Sequence, residues 1–468
     1  MKPLICTAAL WVAAASLSAG AAESIRVGVG HQTMCTDTYT GGIIVKELRL
    51  LEKHLPKTGK YQGAKYEIEW KDYDSGPPIT NMMLANKLDF GVMGDYPLLV
   101  NGSKFQETDS LRTQLVSMTG YNLHGSGNAI VVPVKSNIFT FLDLKGKNVS
   151  TPVGSASWGM LIKAMQDAGL KPEDIDIKNQ SPPVGAANIA ESKIDGHADF
   201  CPWSEIMEFR GTGRKIYDGS EAAVPYLHGA VVRKDYAEKY PEVVVAFIKA
   251  IVEAGKWVEE NPVRAAESLE QWTGIEKEVQ YLYFSRGGHL TLDPTIKPKW
   301  VSTLKYDHEV LTKWKKAPAL DVEKWIDDKY IRQAYKELSI DYEKQKTVEV
   351  DPRVKVKSLS PAEIWHSRNG LVAYSSVVEM FKAVKEAEAG HQKINSTYVY
   401  DQTTGLKIFG EVAYFSQDAS GTLTAFMRKT DADAYAAKTK GKVVTYADAL
   451  SAVKLAAAAP AELAKNAR

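Results

Sequence analysis

Cysteine is scarce in this 468-residue chain: Cys6, Cys35 and Cys201 are all it has, and none follows position 201. The spacing of His31, Met34 and Cys35 matches no recognised zinc or blue-copper pattern. An excess of charge of either sign is missing too. Lys and Arg total 58 against 57 Asp and Glu, a net of +1, so nothing calls for nucleic acid or an anionic membrane surface. No segment past the first two dozen residues offers about 18 uninterrupted apolar residues, the length a membrane-spanning helix needs. Enzyme signatures are absent as well: no Walker loop, no HExxH, no GxSxG and no Ser-His-Asp spacing. The expectation is a binding protein rather than an enzyme, with no cofactor required.

What is present begins with MKPLICTAALWVAAASLSAGAAES. Lys2 precedes a short apolar run, and Ala19, Gly20, Ala21 and Ala22 precede the first acid, Glu23. That layout predicts a secretory signal peptide over residues 1–22 and a mature protein in the periplasm. Cys6 falls inside this leader and is removed with it. Cys35 and Cys201 then remain, either as a disulfide or as two separate thiols.

Beyond the leader, alternating strands and helical spacings follow in β-α-β-α-β order. ESIRVGVG reads as a strand, the Ile44, Leu48, Leu51, Leu55 spacing as a helix, and KYEIEWKDY as a second strand. PPITNMMLANKLD reads as a helix and FGVMGDYPLLVNG as a short strand running into a loop. A second cycle starts at NAIVVPVKS and ends in the amphipathic VVVAFIKAIVEAGKWVEE. The class is α/β: two halves with crossing connections over residues 23–342, and ligands expected where strand ends converge. EKQKTVEVDPRVKVKSLSP is charged and carries two prolines, and 343–359 reads as a linker. Residues 360–454 form a small α+β domain, and 455–468 an Ala-rich tail.

Several stretches resemble known families. LDLKGKNVSTPVGSASWGMLIKAMQDAGLKPEDIDI, GAANIAESKIDGHADFCPW and VVRKDYAEKYPEVVVAFIKAIVEAGKWVEENP resemble periplasmic substrate-binding proteins of ABC importers, of the nitrate/sulfonate/taurine type. The resemblance implies a two-lobed (type II) clamp that closes on a small polar or anionic organosulfur or nitrogen compound. It also implies an inner-membrane ABC permease as partner and a monomeric chain. TYVYDQTTGLKIFGEVAYF and AFMRKTDADAYAAKTKGKVVTYADALSAV resemble the NosL-type copper accessory proteins of nitrous oxide reductase. That resemblance links the chain to copper. The alternative reading is a copper-binding or copper-delivery protein that uses the same clamp. The second family's Cys/Met copper site has no cysteine counterpart here.

Candidate site residues sit at the strand ends. In GSASWG, Gly154, Ser155 and Ser157 lead into a helix. Their N–H groups would favour an anion, or Ser155 would simply cap the helix. Asp95 and Tyr96 in GVMGDYP, Trp203 in CPW and His228 in PYLHGA are placed on the same rim. In HQTMCTDTYTGG, His31, Met34 and Cys35 suit a soft ion such as Cu(I), while Thr36 and Thr38 suit solute recognition. Met93, His124 and Cys201 are further candidates for the cleft.

Overall fold

The structure, a computed structural model, describes residues 24–106 and 112–453. The expected leader and the Ala-rich tail lie outside the described residues. Strand β1 (Ser24–His31) buries Ile25, Val27 and Val29 on one face. Gly30 lets a helix and the loop after it approach the other: a Cβ there would stand 3.0 Å from Ile79 Cγ2 of the helix Gly76–Leu84 and 2.6 Å from Leu88 Cδ1. Beside it run β2 (Lys65–Asp72) and β3 (Phe90–Gly94), both parallel to β1. The strands β4 (Thr113–Asn122), β5 (Asn128–Pro133), β6 (Asn148–Thr151), β7 (Asp176–Asn179), β8 (Gly196–Phe200), β9 (Gly213–Asp218) and β10 (Tyr226–Arg233) complete the clamp.

Two five-stranded sheets result, in orders β2-β1-β3-β10-β4 and β7-β6-β8-β5-β9. In each, four strands run one way and a single strand, β10 in the first and β5 in the second, runs against them, and the sheets share one topology. The whole second sheet is inserted between β4 and β10, so the chain crosses between lobes twice. The crossings touch closely. Gly125 and Gly219 face each other, and a Cβ on Gly219 would lie 2.2 Å from the Gly125 carbonyl oxygen. The 20-residue helix Pro241–Glu260 covers the first sheet, with Phe247 packed 4.7 Å from Phe90.

Two local expectations change. Residues 44–55 form two short helices, Ile43–Glu47 and Leu50–His54, split by Arg49 at φ 53°. The segment after β3 is a twelve-residue helix, Asp95–Gln106, rather than a loop. Pro97 stands in its first turn, where a missing N–H costs nothing.

Residues 343–359 contain short helical turns at Tyr342–Gln345 and Pro352–Lys355 that pack on the clamp. The Val350 amide donates to Tyr121 Oη, and Asp351 pairs with His124 at 3.1 Å. Strands β11 (Ala362–His366), β12 (Gly370–Tyr374), β13 (Ile394–Tyr400) and β14 (Lys407–Phe409) form an antiparallel sheet ordered β12-β11-β13-β14. A second sheet, β16-β15-β17, joins β15 (Tyr414–Gln417), β16 (Leu423–Phe426) and β17 (Lys442–Thr445). Phe381 of the helix Val377–Ala389 sits between them, against Phe415 and Tyr446. This domain docks on the clamp through Tyr281, whose ring meets Trp365 and Tyr398 with the buried Lys407 ammonium 4.2 Å away.

Candidate functional site

The lobes meet where the strand ends point at each other. The turn after β1 carries Cys35, whose backbone carbonyl accepts from the Thr38 amide and hydroxyl. From the second lobe, Cys201 follows β8 directly, joined to Pro202 by a cis peptide bond. His228 stands on β10, in register with Gly94 of β3. Cys35 Sγ lies 3.6 Å from Cys201 Sγ and 3.7 Å from His228 Nε2. All three residues are buried, both cysteines are free thiols, and together they form a group able to hold a metal ion.

Acidic and hydroxyl groups surround this seam. His228 Nδ1 lies 3.4 Å from Asp37 Oδ2, without the geometry of a hydrogen bond. Thr36 Oγ1 donates to Asp37 Oδ1, and Tyr226 Oη is 3.9 Å from Cys201 Sγ. Burial pushes Asp37 up to about 7, against the hydrogen bonds of Cys201 and Thr36. Burial likewise pushes His228 down to about 3, so its imidazole is neutral and free to offer a lone pair. Cys201 is raised well above the usual thiol range by burial and by Cys35. A thiolate at this seam therefore needs a cation beside it.

Asp95 lies on the same seam. It accepts from the amides of Tyr96 and Leu227, and burial raises it to about 7. Tyr96 and Asp95 line a cavity of about 30 Å³ with Tyr226, Asn128 and Asp307. That is room for a water or two, not for an organic solute. A far larger groove of about 1070 Å³ runs between Trp158 on the second lobe and Trp314 at the end of the helix Pro298–Lys313, and neither thiol lines it.

Several expected residues have structural duties of their own. Thr38 spends its hydroxyl on the carbonyls of Gln32 and Cys35. Ser155 Oγ caps the helix Ala156–Asp167 by accepting from the Trp158 amide and also meets Ser157 Oγ at 2.9 Å. Gly154, at φ 89°, lets that turn pass Pro77. Trp203 opens the helix Trp203–Phe209, buried with Nε1 unpartnered.

Of the ion group expected from the first loop, Cys35 joins the convergent group. His31 is not part of the convergent group. It lies against Trp70, with Nδ1 4.0 Å from Asp72, and burial lowers it to about 4. The reason is strand geometry: His31 ends β1 in the pleat, whereas Cys35 follows after the chain has turned. Met34 packs half-buried against the apolar core. Asp37 was not among the expected site residues, although it sits between Thr36 and Thr38.

Residues 19–272 match the model of the NMT1-like family, more than half of the chain. The chain belongs to the NMT1-like family. Among its relatives, the taurine-binding periplasmic protein of Escherichia coli (strain K12) is 32% identical over 200 residues, 42% of this chain. The match spans 58% of that protein's length. A putative aliphatic sulfonates-binding protein of Bacillus subtilis (strain 168) is 25% identical over 261 residues, 55% of this chain and 72% of the relative. The fold is that of the alkanesulfonate-binding protein SsuA from Xanthomonas axonopodis pv. citri, solved bound to MOPS. Its TM-score is 0.56 at 20% identity, covering 66% of this chain and all of that one. SsuA from Escherichia coli gives 0.52 at 22% identity, with 65% and 98% covered. The family match ends before the C-terminal domain begins.

Proposed function

We propose that this chain is the exported solute-binding component of an ABC importer. Its lobes close over a small solute and present the closed form to an inner-membrane permease. One observation carries the reading: strands, turns and a helix start from both lobes bring Cys35, Asp37, Asp95, Cys201 and His228 into one buried seam. Buried polar groups of this kind serve a ligand more readily than they serve stability. The kinship with taurine- and sulfonate-binding proteins supports an organosulfur or nitrogen compound as solute. The seam's own chemistry narrows that choice. Its converging groups are acidic or neutral, and Lys163 on the cavity rim is held by Asp167. Such a seam favours a positively charged guest over a bare anion.

Deleting the gene in the cells that make the protein, with labelled taurine, alkanesulfonate and copper uptake followed in parallel, tests the reading. Uptake of one of these should fall and return with the full chain. Unchanged uptake of all three would overturn it. The second reading, copper binding and delivery by the same clamp, is favoured by the thiol–imidazole group.

A further inference from the structure

We infer that the guest held at the interlobe seam is a monovalent copper ion, bound by Cys35 Sγ, Cys201 Sγ and His228 Nε2. The inference rests on the clamp reading for how the ion enters, and on the residues alone for how it is held.

The geometry of the three donors is the first argument. A metal with bonds of about 2.0–2.3 Å to nitrogen and sulfur sets its ligand atoms about 3.5–4 Å apart. Here the sulfurs are 3.6 Å apart and the Cys35–His228 pair 3.7 Å, with all three donors within 4.8 Å of one another.

The donor set is the second. Two thiolates and an imidazole are soft ligands that select Cu(I) or zinc from the common ions. Zinc is held almost always by four ligands, or by three and a water. Three protein donors converge here in a fully buried seam, and among the described residues no fourth His, Cys, Asp or Glu joins the group.

The surroundings of His228 are the third. A ligating imidazole characteristically directs its other nitrogen at a carboxylate, which fixes the ring. His228 Nδ1, buried and otherwise unpartnered, has the Asp37 carboxylate 3.4 Å away.

Topology then couples binding to closure. Cys35 and His228 belong to the first lobe and Cys201 to the second. Opening the clamp removes one of three ligands, and closing it restores the set. An ion can thus be loaded and released without any ligand leaving its own lobe.

The test uses the full chain, reduced and free of oxygen, titrated with Cu(I) against the chelator bicinchoninate. One Cu(I) per chain should be withdrawn from the chelator, with X-ray absorption showing two sulfurs and one nitrogen. C35S and C201S should each lose that retention while melting as folded proteins. D37N should weaken it by about 10–100-fold. H31Q and M34L should bind as the native chain does.

A folded chain with both thiols reduced that leaves all copper with the chelator overturns the inference, as does native-like binding by the double variant C35S/C201S. Zinc held more tightly than Cu(I) by the same residues overturns the choice of ion. Copper held in vitro but no change in uptake would remove the importer reading and leave the site standing. Lost sulfonate uptake with no copper binding would do the reverse.

Discussion

Tyr96, on the first lobe, packs on the backbone of Gly159 on the second, so closely that a Cβ at 159 would lie 2.2 Å from Tyr96 Cδ1. Glycine is required there by proximity, not by conformation, since it sits inside the helix Ala156–Asp167.

G159A should accordingly oppose closure. Overpacking of this kind costs about 1–3 kcal/mol when the neighbours cannot move aside. Under the proposed clamp motion they can, by the lobes parting. The variant is expected to show a larger radius of gyration by solution scattering, with a modest fall in melting temperature. A native scattering profile together with a native melt would remove the claim that this contact holds the lobes together.

S155A separates capping from ligand binding. Ser155 Oγ accepts from the Trp158 amide at 3.3 Å. Losing an N-cap of this kind costs about 1 kcal/mol, a drop of about 4–8 °C for a lobe of this size. Copper retention should not change. A variant that melts normally yet loses its guest would return the GSASWG turn to the binding site.

E205Q probes the second lobe against pH. Burial works against the Glu205 carboxylate, but Lys215 at 2.7 Å, with His289 and the Tyr283 hydroxyl, outweighs it and holds Glu205 at about 2. A depressed acid gives stability that is present above its unfolded value of 4.5 and lost as pH falls toward about 2. Removing one partner of a buried pair typically costs about 3–5 kcal/mol. Denaturant melts at neutral pH should show a gap of that order between native chain and variant, closing between pH 4.5 and 2. A gap that persists at pH 2 would show that the ionic pairing is not its source.

The elements were largely legible in the sequence because each is a local matter. The alternation of Ile25, Val27 and Val29 makes β1 a strand, and the apolar spacing of Val244, Ile248 and Ile251 makes Pro241–Glu260 a helix whatever surrounds it. The β-α-β order then leaves few topologies open, and the two-lobed clamp is among them. Local signals misled where a proline and a glycine beside Asp95 looked like a loop. Helix starts tolerate both residues, and the helix continues from Asp95 to Gln106.

The identity of the site belongs to tertiary structure. Cys35 meets Cys201 across 166 residues and His228 across 193, through the insertion of one lobe into the other. No spacing along the chain encodes such a meeting. The sequence determined that a thiol, a histidine and a methionine stand close together after β1. Only the pleat of β1, the turn that follows it and the closure of the lobes decided that Cys35 finds its partners on other strands while His31 faces Trp70.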